Sequence, residues 1–135
     1  MRFGIATAPH YSSPRYDRSP RSKLFDFAVE DAFAWRDGDS YHAIFKDQSG
    51  ALGGEADGGV HAISADGATW GLADPPPAYS RRATYGDEEV DLTYRERTQL
   101  LFDAKGTPTH LFNAVLEGDR GGHTWNMVTP LGPDS

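Results

Sequence analysis

Three features of this sequence predict an all-β fold. Fifteen glycines and nine prolines are spread between short apolar runs with no period-three repeat, a composition typical of turn-rich β structure. From Glu30 to Asp47, apolar side chains fall at alternate positions, Phe33 and Trp35, then Tyr41, Ala43 and Phe45, on either side of Asp37-Gly38-Asp39, which signals a β-hairpin. No segment shows helical periodicity. With 135 residues, 38% hydrophobic and 12% aromatic, the chain is long enough for one domain with a packed core.

Charge and cysteine content narrow the function. Thirteen basic and 20 acidic residues give a net charge of −7, which argues against nucleic acid or an anionic membrane as partner and favours neutral or cationic ligands. Cysteine is absent, so there is no disulfide framework and no thiolate chemistry. The opening Met1-Arg2-Phe3-Gly4-Ile5 runs into polar residues by His10 and has the form of neither a signal peptide nor a membrane span, so a soluble chain without an address is expected.

In order along the chain, Phe3 to Ala8 is expected to be a strand with no partner before it, followed by a Ser/Pro/Arg-rich link to Pro20. Residues 17 to 28 form a connection whose apolar patch, Leu24, Phe25 and Phe27, caps a sheet edge. After the hairpin, Gln48 to Gly59 is glycine-rich but has neither Walker spacing nor a following helix, so a flexible rim loop is expected rather than a phosphate cradle. Val60 to Ser64 is a strand, and Ser64 to Trp70 is a tight Asp-Gly turn from which Trp70 can pack back on the hairpin core. Pro75-Pro76-Pro77 excludes helix, Ala78 to Tyr85 is expected to be an outer strand, and Asp87-Glu88-Glu89 a solvated turn. Thr93 to Asp103 then repeats the pattern of a polar start and an apolar strand, followed by the turn Asp103 to Gly106 and strands at His110 to Val115 and His123 to Val128. Aligning Glu30 with Glu96, Asp37 with Asp103 and, with two extra turn residues, His42 with His110 gives a weak repeat of about 66 positions.

The succession Glu30-Asp31-Ala32-Phe33-Ala34-Trp35, Tyr41 to Asp47, Gly59 to Ser64 and Glu96-Arg97-Thr98-Gln99-Leu100 resembles the five-bladed β-propeller glycoside hydrolases, relatives of arabinanases, β-xylosidases and invertases. The Ser64 to Trp70 turn likewise resembles the Asp-box of propeller proteins, one residue shorter. The resemblance implies a partial five-bladed propeller: residues 1–29 an edge strand and connection, 30–95 a first full blade, 96–135 a second, incomplete one. It implies that Asp31 is the aspartate that orients and tunes the acid, and that Glu96 is the general acid. Ala32 and Thr98 stand where the family usually has proline. The family's base or nucleophile, an aspartate on the first blade, has no counterpart here. A plain β-sandwich is the alternative architecture.

Glycoside hydrolysis takes two carboxyl groups flanking the bond, about 5–5.5 Å apart for retention and roughly 6.5–9.5 Å for inversion. Asp31 and Glu96 are the expected catalytic pair, with Glu30, Trp35, Lys46, Asp47, His61 and Arg97 as substrate-binding candidates. Successive strand residues point oppositely, so only one of Glu30 and Asp31 faces a channel, and Asp31 is expected there. The histidines lack metal-ligand spacing, and no metal or cofactor is assigned. The expected function is a carbohydrate-acting, hydrolase-like domain, weak or inactive alone. Its alternative is a non-catalytic carbohydrate-binding or self-assembling module. Open terminal sheets predict a homodimer.

Overall fold

The computed structural model describes residues 4–18 and 25–132. Among them the fold is all-β, with eleven strands in four antiparallel sheets, none of them closed, and no helix. Two strands, β1 (Ala6–Thr7) and β2 (Asp17–Arg18), pair near the start. The first large sheet is a meander of β3 (Val29–Asp37), β4 (Ser40–Asp47), β5 (Gly58–Ser64) and β6 (Gly71–Tyr79). A separate hairpin of β7 (Arg82–Tyr85) and β8 (Glu88–Asp91) leads to the second large sheet, β9 (Tyr94–Phe102), β10 (Pro108–Glu117) and β11 (His123–Pro130).

The central hairpin forms as the alternation predicts. Asp37 pairs with Ser40 across a two-residue turn, and Gly38 takes φ 55 at its first position, where glycine carries no Cβ penalty. Strand β4 is buried on both faces. Phe45 joins Val29, Val60 and Ala62 in one cluster, covered by Phe25, Leu52 and Trp70, so Trp70 packs back on the hairpin core as expected, while Phe27 of the expected edge cap is exposed. Leu24 lies outside the described residues. On the other face Ile44 packs with Tyr79 and Leu111 between the two large sheets. Leu92, Val115 and Met127 seat the β7–β8 hairpin on the second sheet.

A buried polar network crosses the same boundary. Arg95 Nε donates to Asn113 Oδ1 at 2.9 Å, its other nitrogens donate to the Ser80 carbonyl and Thr129, and the guanidinium lies 4.7 Å from the Tyr79 ring centroid. Asn113 donates to Thr98 and Thr98 to the Tyr79 hydroxyl, both at 3.2 Å. Neutral acceptors thus satisfy the buried cation, as burial requires.

Three expectations are corrected. Phe3 lies outside the described residues, and only Ala6–Thr7 of the expected first strand is strand; it is paired, with Asp17–Arg18. The expected outer strand from Ala78 to Tyr85 is split: Ala78 and Tyr79 end β6, and β7 begins at Arg82. The tri-proline sits inside β6, a position open to residues without N–H because β6 is an edge strand, bonded among the described residues only to β5. Glu88 and Glu89 belong to β8 rather than to a turn, which is made instead at Gly86, φ 64.

The register shows the repeat directly. Phe33, Ala34 and Trp35 lie opposite Ile44, Ala43 and His42, and in the second sheet Gln99, Leu100 and Leu101 lie opposite Phe112, Leu111 and His110. The offset is 66 residues on the first strand of each pair and 68 on the second, because the Asp103 to Gly106 turn is two residues longer. A register shift follows Glu30 in one sheet and Glu96 in the other, and the next residue in each, Asp31 at φ 55 and Arg97 at φ 56, is left-handed. Non-glycine residues rarely adopt this conformation, and its appearance at matching positions marks a bulge that re-aims side chains at both sheet openings.

Candidate functional site

The two openings meet around one buried lysine. Lys46, 3% exposed, places Nζ 2.5 Å from Glu30 Oε1 on β3, 2.8 Å from Glu96 Oε2 on β9 and 3.5 Å from Asp57 Oδ1, with the Tyr94 ring centroid at 5.2 Å. Burial alone would depress the ammonium, but the hydrogen bonds and charges of Glu30 and Glu96 outweigh it and raise Lys46 above its ordinary value. Glu30 is held below the usual carboxylate range, chiefly by the hydrogen bond from Lys46. Arg97, exposed, is 3.6 Å from Glu96 Oε1.

Asp31 is exposed, and its carboxylate oxygens, those of Glu30 and those of Glu96 include a set lying within 4.8 Å of one another. Three carboxylates so placed are a possible oxygen-ligand set for a metal ion, a grouping the histidine-based sequence reading did not find. The Lys46 ammonium already stands against two of the three. Asp31, Glu30, Lys46, Glu96 and Arg97 are therefore brought together, and of these Glu96 and Arg97 line the adjacent cleft.

Beside Glu96 opens a cleft of about 450 Å³ lined by Tyr94, Arg97, Ala114 and Trp125, among others. Tyr94 carries no signal of a site in the sequence, where it falls in the polar start of its strand. Trp125 carries the commoner signal of an aromatic on a strand, which usually means core.

Three binding candidates lie elsewhere. Asp47 is fully buried: its Oδ1 accepts from the Ser49 and Gly50 amides and the Ser49 hydroxyl, and its Oδ2 from the Leu52 and Gly53 amides at 2.7 and 3.1 Å. These bonds hold the carboxyl low although burial opposes them. The glycine-rich segment is thus pinned on a carboxylate of its own chain and is not a free rim loop. Trp35 and His61 sit between the sheets, where Trp35 stacks on His42 and His61 at 5.1 and 5.6 Å and the two histidines share a 2.9 Å hydrogen bond. Burial, then the His42 charge, lowers His61. His42 and Lys46 share one face of β4 four residues apart, so their Cα atoms are about 13 Å apart along the strand. Trp35 and His61 line a separate apolar cleft of about 210 Å³.

The Asp-Gly turn is structural. Ser64 Oγ accepts from Gly67, Asp66 Oδ1 accepts from Ala68 and Thr69 at 2.8 and 2.7 Å, and these amide bonds bring Asp66 down to about 2. Comparison with protein-family models, curated proteins and solved structures gave no match.

Proposed function

We propose that this chain is a carbohydrate-binding domain of the glycoside hydrolase-like propeller kind, a partial five-bladed wheel whose sugar cleft is the one beside Glu96. The observation that carries this reading is that Glu96 belongs at once to the carboxylate cluster and to a cleft walled by two aromatic rings, Tyr94 and Trp125. Carboxylates fix sugar hydroxyls and rings stack on sugar faces, so the combination suits a neutral oligosaccharide. The matched registers of the two large sheets support successive blades.

In this reading Asp31 orients and Glu96 stands where a general acid stands, but hydrolysis is weak. Glu96 Oε2 accepts a hydrogen bond from Lys46 and is not free to meet a glycosidic oxygen. The expected result with aryl pentosides and fructosides is turnover near the uncatalysed rate, unchanged in Glu96→Gln. Robust turnover abolished by Glu96→Gln would restore an active hydrolase.

The second sheet's outer face supports self-association. Gln99, Leu101, Phe112, Ala114 and Val128 share it, Leu101 and Val128 being 50% and 48% exposed. Its hollow of about 500 Å³ borders the sugar cleft at Arg97, Ala114 and Asn126 and includes no acidic residue among those described, so the excess negative charge of two chains of −7 is kept out of the contact. The partner proposed is a second copy.

A further inference from the structure

We infer that Lys46 is a resident cation, a positioning residue whose ammonium occupies the centre of the carboxylate cluster and fixes Glu30 of the first sheet against Glu96 of the second. The inference rests on the carbohydrate reading only in treating that cluster as the ligand site.

Four observations carry it. A lysine is rarely buried unless paired, and this one is 3% exposed. Its three N–H donors are matched by three carboxylates within ion-pair distance, on β3, on β9 and on the loop between β4 and β5. The repeat supplies two glutamates but one lysine: Glu30 lies opposite Lys46, whereas Glu96 lies opposite Ala114. Glu96 Oε2 therefore takes its buried cation from the first sheet, while the exposed Arg97 of its own strand meets Oε1, and the Lys46 bond is specific to the junction. Finally, the loop carrying Asp57 is anchored by the neighbouring Asp47, whose carbonyl accepts from the Asp57 amide at 2.7 Å, so adjacent residues of one strand set both the cation and its third partner.

The consequence is a division of labour. Glu30 and Glu96 are engaged by the ammonium and hold the two openings at fixed spacing, while Asp31, which makes no ion pair among the described residues, is left to meet a ligand. Lys46 itself does not touch the ligand, because its donors are already taken.

Lys46→Ala tests this, since it removes propylammonium from the chain. Its melting temperature should fall, then rise saturably on addition of n-propylammonium chloride, with no matching rise for sodium chloride or n-propanol. Equal rescue by propanol, or no saturable rescue, would overturn the inference. Lys46→Met keeps an unbranched apolar stem and gives a second readout should the alanine variant not fold. The Glu30 side-chain carboxyl signal should titrate at higher pH than in the wild type, and the Glu96 carboxyl signal should move; unchanged signals would contradict the proposal. Loss of sugar binding in the wild-type protein with these results intact would remove the carbohydrate reading and leave the resident cation in place.

Discussion

Asp47→Ala is expected to lower stability by about 3 kcal/mol or more. Four backbone amides and the Ser49 hydroxyl donate to that carboxylate, and alanine leaves them facing an empty, buried space. Asp47→Asn should cost nearly as much despite its equal size, because its NH₂ would face donors at one of the two positions. Chemical denaturation read by tryptophan fluorescence checks both. The carboxyl is held low in the folded state, so between the folded value and the unfolded value of about 3.9 the unfolded chain binds more protons. Its contribution is therefore complete above about pH 4 and lost as pH falls through the folded value. The alanine variant should lack that part of the acid sensitivity. A loss under about 0.5 kcal/mol would show that the loop does not depend on Asp47.

The second large effect is on mass. The wild type should sediment at micromolar concentration as twice 14.8 kDa, and Val128→Asp should return it to 14.8 kDa. Among the described residues strand β11 has a neighbour on one side only, where β5 in the first sheet has β6 on its second side, so its outer edge offers backbone donors and acceptors. Apolar surface buried there contributes about 25 cal/mol per Å², so an interface of about 800 Å² per partner would hold at these concentrations. A buried aspartate at Val128 would lack a partner and would add to the net −7 of each copy. A wild-type monomer with cooperative unfolding would contradict the second copy as occupant.

How much was legible in the sequence follows from which forces act locally. The hairpin from Glu30 to Asp47 was visible because period-two alternation and an Asp-Gly-Asp turn are local signals, and the Ser64 to Trp70 turn for the same reason. The repeat was visible in its glutamates and confirmed in its registers. A strand after the Ser64 to Trp70 turn was legible, but its run through three prolines was not, since they are tolerated at an outer edge unpaired among the described residues, a fact of topology. The burial of Lys46 was hidden more deeply. Alternation predicts that a lysine beside a buried Phe45 points to solvent, but a second sheet covers that face and brings Glu96 from fifty residues away. Asp47 left a trace that went unread: a carboxylate followed by Ser49, Gly50, Gly53 and Gly54 is a chain segment able to turn its amides inward on it. Trp35 and His61 were placed with the site because aromatics and histidines suit sugars, whereas packing between sheets claimed them first.

The central claim is that the cleft beside Glu96 takes a sugar. Its most direct test is a titration of the labelled protein with pentose and fructose oligosaccharides, followed by backbone and indole NMR signals. The account predicts saturable shifts at Tyr94, Glu96, Arg97 and the Trp125 indole, weakened about tenfold or more in Trp125→Ala, a stacking contribution on the order of 1–2 kcal/mol. No shift at millimolar sugar, or shifts confined to Trp35 and His61, would contradict it.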